Sequence, residues 1–280
     1  MATGQPARLD GVALVTGAGR SARAHGVGSA ISVVLARTGL QVAVVDVDAE
    51  AARRTVSEID ASGGRAFPVI ADLGTAEGCR SAAAETLTTG GRIDVLVNNV
   101  AIVQPGTATE ITDEQWQRVL AVNLTAAFRL SRAAVTQMRA QGGGGSIINI
   151  TSIAGLRGGG HTVAYAASKA GLIGLTQDMA GSHGDDGIRV NAIAPGYLYT
   201  PMVEEFSGME EMRERRRRLG ALNTEGTCWD VAGLVAFLAG EDAKWITGTV
   251  IPVDAGAQAL QPLAIATRFG LLGAQRLKEG

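Results

Sequence analysis

The sequence is poor in cysteine, histidine and aromatic residues, and these shortages exclude several classes of protein. Its 280 residues include two cysteines, Cys79 and Cys228, and three histidines that lie far apart. Neither cysteine belongs to a CxxC pair, so the sequence predicts neither a disulfide framework nor a zinc site. Two free thiols suit a reducing compartment, and we therefore expect a cytoplasmic protein without a bound metal.

Long apolar runs and an excess of one charge are also missing. No run reaches the roughly 18 apolar residues of a membrane span, and residues 1–10 lack the apolar segment of a secretory signal. With a net charge of −2, the chain lacks the basic balance of a nucleic-acid binder. The basic run at 215–218 follows Glu210, Glu211 and Glu214, which indicates a solvated helix face of mixed charge. We expect neither a membrane nor a nucleic acid among its partners.

Short apolar runs alternate with longer helical patterns along almost the whole chain. Runs that are apolar throughout are typical of strands buried on both faces, as in a parallel sheet. The predicted strands are 12–16, 41–46, 66–71, 93–98, 146–151, 189–194 and 249–253, and the predicted helices are 27–38, 49–61, 75–89, 112–139, 163–182 and 226–239. This order predicts an α/β fold of the Rossmann type, doubly wound, with a seven-stranded, mostly parallel sheet and helices on both faces.

No change of composition marks a linker, so we expect a single domain over residues 1–280 that combines dinucleotide binding and catalysis. Within it, residues 197–222 follow the sixth strand and are predicted to form an apolar substrate lid. Such a lid suits apolar or medium-sized substrates, although its apolar residues could equally serve only to pack the lid onto the domain. The tail, about 258–280, is apolar in patches and is expected to pack on the domain or on a neighbouring subunit.

A glycine-rich turn follows the first predicted strand. Gly17 and Gly19 come directly after it, and Gly26 and Gly28 stand at the start of the next helix. Glycines at such a turn let the backbone approach a pyrophosphate, which then lies at the helix N-terminus. Turns need glycine for other reasons as well, but the position between a buried strand and a helix favours a dinucleotide site.

Asp46 ends the second predicted strand. A carboxylate there can accept hydrogen bonds from both hydroxyls of an adenosine ribose and would repel a 2′-phosphate, which favours NAD over NADP. Its alternative role is to cap the following helix, but Asp48 is better placed for that.

Tyr165 and Lys169 stand four residues apart, on one face of a predicted helix. A phenol with a pKa near 10 is a poor acid–base at neutral pH, and a nearby ammonium is expected to lower that pKa. Ser152, at the end of the fifth strand, could donate to a substrate oxygen. Asn123 is a polar amide inside an apolar helical stretch, where burial costs free energy unless the amide forms hydrogen bonds or has a function.

Further motifs follow other strands: Asp72-Leu73, Asn98-Asn99, and Pro195-Gly196 with Thr200 four residues later. Together with Tyr165-Ala-Ala-Ser-Lys169, and in this order over about residues 10 to 256, the set resembles the short-chain dehydrogenase/reductase family in its compact single-domain form. The resemblance implies an oxidoreductase that moves a hydride between a nicotinamide dinucleotide and a small alcohol or ketone.

The resemblance also implies a role for each matching residue. Tyr165 would be the general acid–base, Lys169 would lower its pKa and hold the nicotinamide ribose, and Ser152 would orient the substrate oxygen. Asn123 would hold a water in a proton relay from Lys169 to solvent. The expected cofactor contacts are Gly17, Arg20, Gly26, Val27, Gly28, Asp46, Asp72 at the adenine, Leu73, Asn99, Ala101, Tyr165, Lys169, Pro195, Gly196, and Leu198 and Thr200 at the carboxamide.

Two departures from the family pattern bear on the cofactor. Eight residues separate Gly17 from Gly26, where the family usually has three, and they include Arg20, Arg23 and His25. This insertion could clamp the cofactor phosphates, bind the 2′-phosphate of NADP against the preference set by Asp46, or form an exposed loop. The second departure is Val100-Ala101, where the family commonly has Ala-Gly, and it predicts a small shift of the bound cofactor.

Several functions stay open at this point. An NAD(H)-dependent dehydrogenase for a secondary alcohol is expected first, and an NADP(H)-dependent ketone reductase second. A non-catalytic dinucleotide-binding protein would not need Ser152, Tyr165 and Lys169 together, and an epimerase or dehydratase of a related longer fold would need a longer chain. Family members commonly form homotetramers through two long helices, here 112–139 and 163–182, so a homotetramer is expected, with a dimer next.

Overall fold

The computed structural model describes residues 9–158, 160–200 and 210–271, which contain a seven-stranded parallel sheet. The strands are β1 (Val12–Thr16), β2 (Gln41–Asp46), β3 (Arg65–Ile70), β4 (Val95–Asn98), β5 (Gly145–Ile150), β6 (Ile188–Pro195) and β7 (Val250–Val253). Their spatial order is β3-β2-β1-β4-β5-β6-β7, and every neighbouring pair is parallel. The predicted α/β class and doubly wound sheet are confirmed, and the sheet is wholly parallel.

Helices cover both faces of the sheet. They are α1 (Val27–Arg37), α2 (Ala49–Ala61), α3 (Ala76–Gly90), α4 (Asp113–Leu120), α5 (Ala126–Gln141), α6 (Val163–His183), α7 (Glu210–Arg218), α8 (Cys228–Ala239) and α9 (Pro262–Arg268). One apolar cluster joins the sheet to α1, α2 and α8, and a second joins it to α3, α5 and α6. This double burial explains why β1 and β4 are buried at every position.

The direction of winding reverses between β1 and β4, which are neighbours in the sheet. At such a switch point the loops after adjacent strands diverge and leave a crevice at the carboxyl ends of the strands. Asp48 accepts hydrogen bonds from the N–H groups of Glu50 and Ala51 and so caps α2, as expected. Asp46 is therefore available at the edge of this crevice.

The long helix predicted over 112–139 is interrupted. Between α4 and α5 lies a π-helical turn, Ala121–Thr125, in which the N–H of Ala126 donates to the carbonyl of Ala121. The turn contains Asn123, whose side chain bonds to a neighbouring loop rather than to its own helix. A π turn inside a helix often marks a functional site, because it displaces one residue from the regular spiral.

α7 carries the predicted mixed-charge face. Ion pairs join Arg215 to Glu211 at 2.7 Å and Arg218 to Glu214 at 3.1 Å. The tail packs against the end of this helix, since the guanidinium of Arg268 in α9 donates to the carbonyl of Ala221 at 3.0 Å. Residues 201–209 of the predicted lid and 272–280 of the tail lie outside the described residues. No helix in the described part of the chain is both long and apolar enough to cross a membrane.

Candidate active site

A cleft of about 520 Å³ lies at the carboxyl ends of the strands, along the switch point. It is lined by most of the predicted site residues: Gly17, Gly26, Val27, Gly28, Asp46, Asp72, Leu73, Asn99, Ala101, Ser152, Tyr165, Lys169, Pro195, Gly196, Leu198 and Thr200. Among the predicted residues, Arg20 and Asn123 do not line it. The sequence motifs, spread over almost 200 positions, thus come together in one cleft.

The glycine-rich turn is built around very close backbone contacts. Gly17 has φ +59°, in the left-handed region that favours glycine. A Cβ on Gly28 would lie 2.1 Å from the carbonyl oxygen of Gly17, so no side chain fits there. Gly26, in contrast, has open space where its Cβ would be, and as the N-cap of α1 it cannot cap the first N–H groups with a side chain. These features fit a pyrophosphate at the N-terminus of α1.

The side chain of Asn99, the residue after the neighbouring strand β4, holds this turn by hydrogen bonds. Its side-chain amide donates to the carbonyl oxygens of Thr16 at 2.8 Å and Gly17 at 3.0 Å. The Thr16 hydroxyl in turn accepts from the N–H groups of Asn99 and Val100. Asn99 lines the cleft as predicted, but its amide group holds the shape of the turn.

Asp46 faces the cleft with both carboxylate oxygens held by backbone. Oδ2 accepts from the N–H of Gly19 at 2.8 Å, and Oδ1 accepts from the N–H of Asp48 at 3.1 Å. Each carboxylate oxygen has a second lone pair, so Asp46 can still accept hydrogen bonds from a ligand in the cleft.

Ser152, Tyr165 and Lys169 meet at the other end of the same cleft. The Tyr165 hydroxyl is hydrogen-bonded to Ser152, whose Oγ also accepts from the N–H of Ala154 at 3.1 Å. Lys169 is fully buried, and its ammonium nitrogen lies 5.6 Å from the centre of the Tyr165 ring. It donates to the carbonyl oxygen of Ile150, the last residue of β5, at 2.7 Å.

Comparison with known proteins agrees with this geometry. The family model described as enoyl-(acyl carrier protein) reductase matches residues 21–258. The cyclohexanol dehydrogenase of Acinetobacter sp. (strain SE19) is 38% identical over 244 residues, which cover 87% of this chain and 93% of that protein. The chain belongs to the short-chain dehydrogenase/reductase family.

Two solved structures resemble this short-chain dehydrogenase/reductase closely. One is a short-chain type dehydrogenase/reductase from Mycobacterium marinum, with a TM-score of 0.81, 30% identity and coverage of 89% of this chain and 96% of that one. The other, from Agrobacterium tumefaciens, is described as a 2-deoxy-D-gluconate 3-dehydrogenase with bound NADP, with a TM-score of 0.81, 32% identity and coverage of 89% and 97%. The chain is thus an oxidoreductase that uses a nicotinamide dinucleotide.

Burial shifts the pKa values of both Lys169 and Tyr165. It lowers the pKa of Lys169 to about 7, because a buried ammonium lacks hydration. It raises the pKa of the Tyr165 phenol above its ordinary value, and the hydrogen bond with Ser152 opposes this only in part. The expected lowering of the Tyr165 pKa by Lys169 is therefore wrong for this structure, since loss of solvent around the phenol outweighs other influences.

Asn123 acts on the backbone around the cleft rather than inside it. Its Oδ1 accepts from the N–H of Ile102 at 2.8 Å, and its Nδ2 donates to the carbonyl of Ile102 at 2.9 Å and to Ser168 Oγ at 3.1 Å. Both amide hydrogens are therefore used within the protein. A water of the predicted relay would have to donate to an acceptor of the π turn, since the Asn123 amide has no hydrogen left for it.

A buried chain of polar side chains under the site was not foreseen. Asn98 donates to Ser131 at 3.0 Å and to Asn149 at 2.8 Å, and Asn149 donates to Thr176 at 2.9 Å. These hydrogen bonds connect β4, β5, α5 and α6 beneath the cleft. The signal in the sequence was weak, because Asn149 looked like one more residue of an apolar strand.

Arg118 of α4 is a lining residue that the sequence motifs missed. Its guanidinium lies 3.4 Å from Oδ1 of Asp72, which also accepts from the N–H of Gly74 at 2.9 Å. Asp72 is thus ion-paired where an adenine contact was expected. An arginine on a polar helix carries no local signal, so only the fold reveals its position.

Two side chains of the insertion, Arg20 and His25, lie away from the cleft. Arg20 Nε lies 3.4 Å from Glu58 Oε2, and His25 Nε2 lies 3.2 Å from Glu58 Oε1. The His25 ring also packs 4.9 Å from the Trp229 ring. Both insertion side chains line a shallower depression of about 750 Å³ beside α2. The structure thus places Arg20 away from its predicted cofactor contact, because the carboxylate of Glu58 holds it on α2, whereas Gly19 and Ser21 of the insertion line the cleft.

Arg216 is a further lining residue that was missed. It comes from α7, and its Nη2 donates to the carbonyl oxygen of Leu198 at 3.2 Å. In the sequence it is hidden within the run Arg215–Arg218, whose neighbours point to a solvated face.

Proposed function

We propose that this protein is an NAD(H)-dependent dehydrogenase that interconverts a small secondary alcohol and its ketone, with Tyr165 as the general acid–base. The observation that carries the proposal is that a single cleft holds residues suited to proton transfer at one end and a carboxylate suited to a ribose at the other. Ser152, Tyr165 and Lys169 lie at one end, and Asp46, free of its alternative capping role, lies at the other. A binding protein without catalysis would need only the second end.

The residues present fit a dinucleotide. Gly17, Gly26 and Gly28 would give the pyrophosphate a close approach to α1, and Asp46 would accept the ribose hydroxyls. Lys169 would hold the nicotinamide ribose, and Leu198 and Thr200 would lie beside the carboxamide. When bound, the nicotinamide supplies the hydride acceptor or donor.

The protein's own part in the reaction is to move a proton. In ketone reduction, the Tyr165 hydroxyl donates its proton to the substrate oxygen, which Ser152 holds by a hydrogen bond. In alcohol oxidation, the phenolate oxygen of Tyr165 takes the hydroxyl proton of the substrate. Because burial raises the pKa of Tyr165, the protonated form prevails at neutral pH, and we expect oxidation to accelerate as the pH rises.

The preference for NAD rests on the charge at the ribose end. Asp46 would repel a 2′-phosphate, and the Arg20 guanidinium and the His25 imidazole are held on Glu58 instead of facing the cleft. The alternative is an NADP(H)-dependent ketone reductase, which the NADP bound in the similar Agrobacterium structure favours. Arg118 also lines the cleft and is a cation that could favour NADP, but it is already paired with Asp72.

A fluorescence titration of the purified protein with NADH and NADPH tests the cofactor, followed by turnover of secondary alcohols and ketones. We expect tighter binding of NADH by about tenfold, or 1.4 kcal/mol. Tighter binding of NADPH would support the reductase instead. Tyr165→Phe should lower turnover by about 10²–10⁴-fold while NADH affinity is retained, and an unchanged turnover would support the non-catalytic reading.

We also propose a homotetramer in the cytoplasm, assembled through α5 and α6. Phe128 of α5 is 46% exposed, and Ala170 of α6 is exposed as well. Small exposed residues allow close packing of helices from two subunits. Light scattering coupled to size exclusion should give four chains per particle, whereas two chains would support the dimer.

A further inference from the structure

We propose that the Thr151 hydroxyl is a positioning group, which fixes the register of α6 against the end of β5 and thereby aligns Tyr165 with Ser152. The inference rests on the proposed function, because it concerns the groups that transfer the proton. Thr151 would act through Lys169, its partner on α6, and would take no part in the chemistry itself.

Three consecutive residues at the end of β5 each hold a different group of α6. The carbonyl oxygen of Ile150 accepts from the Lys169 ammonium at 2.7 Å, and the Thr151 hydroxyl donates to the Lys169 carbonyl oxygen at 2.6 Å. The third residue, Ser152, is hydrogen-bonded to the Tyr165 hydroxyl. A displacement of α6 relative to the strand end would therefore disturb all three contacts together.

Thr151 is itself fixed on the sheet. Its N–H donates to the carbonyl oxygen of Ile193 in β6 at 2.8 Å, which continues the ladder of β5 and β6 beyond its last paired residues. The residue is only 2% exposed, and a buried hydroxyl without a partner would cost free energy. The Lys169 carbonyl is the acceptor that satisfies it, so the hydroxyl connects the sheet to the backbone of the catalytic helix.

The bond from Thr151 is an addition to the helix and not a part of it. A carbonyl inside an α-helix accepts the N–H four residues later, and its second lone pair can take another donor. The Lys169 carbonyl lies well inside α6, with more than one turn of helix on either side. α6 can therefore form without Thr151, and what the hydroxyl adds is the position of the helix relative to β5.

The turn after Ser152 lies against the same point of α6. A Cβ on Gly155 would lie 2.7 Å from the carbonyl carbon of Lys169 and 2.9 Å from the backbone nitrogen of Ala170. Such a close backbone contact resists approach of the helix, and the hydrogen bond from Thr151 resists its separation. Together they leave α6 little freedom to move at the residue that carries the ammonium.

The test compares Thr151→Val, which removes the hydroxyl but keeps the shape of the side chain, with Thr151→Ser, which keeps the hydroxyl. The control Thr86→Val removes an equally buried hydroxyl, which donates to the carbonyl of Ala82 within α3. Turnover of secondary alcohols is measured at saturating NAD. Because a misplacement of about 1 Å can cost about 10²-fold, Thr151→Val should lower kcat by about 10–100-fold and change KM by less than about threefold. Thr151→Ser should recover most of the lost kcat, and Thr86→Val should change neither constant.

A second measurement does not depend on turnover. Burial lowers the pKa of Lys169 to about 7, so this lysine should make the free energy of unfolding rise between pH 7 and pH 9. If Thr151 holds Lys169 in register, Thr151→Val should let water reach the ammonium and make that rise smaller. Thr151→Ser and Thr86→Val should retain the rise of the wild type. Urea unfolding of the full-length, cofactor-free proteins measures it.

Three results would overturn the proposal while the proposed function stands. They are an unchanged kcat in Thr151→Val, an equal loss of kcat in Thr86→Val, and an effect on KM alone, which would assign Thr151 to binding. If no alcohol or ketone is turned over, the proposed function fails, and the unfolding measurement decides the role of Thr151 by itself. A smaller rise in Thr151→Val that serine restores would support the proposal, and a rise equal to that of the wild type would overturn it.

Discussion

The Lys169 ammonium donates a 2.7 Å hydrogen bond to the carbonyl oxygen of Ile150, and the whole side chain is buried, with its nitrogen 5.6 Å from the centre of the Tyr165 ring. One neutral carbonyl replaces only a small part of the hydration that an ammonium has in water. The pKa of Lys169 therefore falls to about 7, so that this lysine titrates close to neutral pH. Burial of Lys169 therefore lowers the free energy of unfolding by an amount that depends on pH.

The first prediction concerns stability as a function of pH. In the unfolded chain Lys169 has a pKa of 10.5, so between about pH 7 and 10.5 the unfolded state binds one more proton than the folded state. Its contribution to the free energy of unfolding therefore rises with pH across that window, by at most about 1.4 kcal/mol per pH unit. Lys169→Met removes this contribution.

Urea unfolding of wild type and Lys169→Met at pH 7, 8 and 9 measures the effect. All other groups titrate in both proteins, so the difference between their free energies of unfolding isolates the lysine. We expect the variant to be the more stable at pH 7 and to lose that advantage as the pH rises. A difference that stays constant with pH would show that the lysine keeps its ordinary pKa.

The second prediction concerns cofactor choice at Asp46. Asp46→Asn removes the charge but keeps an oxygen for the N–H of Gly19. Without the repulsion of a 2′-phosphate, the preference for NADH over NADPH should fall by about tenfold, which corresponds to 1.4 kcal/mol. Asp48→Asn is the matched control, because that carboxylate is two residues away and caps α2. A preference that falls equally in both variants would point to the general charge of this loop.

The sequence predicted the features that depend on neighbouring residues, and it missed contacts between residues that meet only in the fold. The strands and the Tyr165–Lys169 pair were predictable, because each depends on a short pattern of neighbouring residues. The partner of Arg20 was not, since Glu58 lies far along the chain and meets the insertion only in the fold. Arg216 was hidden for a related reason: its charged neighbours predict a solvated face, and only the packing of α7 on Leu198 turns it inward.

The pKa of Tyr165 shows a different kind of limit. The spacing to Lys169 correctly placed a cation near the phenol, with its nitrogen 5.6 Å from the ring centre. It carried no information about burial, which determines the direction of the shift. The sequence pattern thus predicted that Tyr165 and Lys169 lie close together, whereas their ionisation depends on how much solvent the assembled fold excludes.

The third prediction tests the insertion. Because Arg20 pairs with Glu58 on α2, Arg20→Ala should change the affinities for NADH and NADPH by less than about fivefold, within the 0–1 kcal/mol of a partly exposed ion pair. Glu58→Gln frees the same arginine and is the informative partner variant. If Arg20 can reach the cofactor once released, Glu58→Gln should strengthen NADPH binding, and the double variant should lose that gain. A large loss of NADH affinity in Arg20→Ala alone would contradict the placement of this side chain.

The last prediction concerns the closest backbone contact of the cleft. Gly28 lies in the first turn of α1, where replacing glycine by alanine ordinarily stabilises a helix by about 0.5–1 kcal/mol. Here the new Cβ would lie 2.1 Å from the Gly17 carbonyl oxygen and 2.6 Å from the Asn99 amide nitrogen, and neither can retreat because they are bonded to each other. Gly28→Ala should therefore destabilise the cofactor-free protein by about 1–3 kcal/mol, as overpacking does.

Gly26→Ala provides the matched control two residues earlier, because nothing lies within 4 Å of its added Cβ and its φ of −87° suits any residue. Thermal unfolding without cofactor should show for Gly26→Ala only the loss that follows from the preference of helix N-caps for glycine over alanine, about 1 kcal/mol or less. Equal losses in both variants would mean that the contact made by the added Cβ at Gly28 does not account for the loss. A loss confined to Gly28→Ala would show that the turn is held by the contact between Gly17, Gly28 and Asn99, so that the cradle for the pyrophosphate is formed before any ligand arrives.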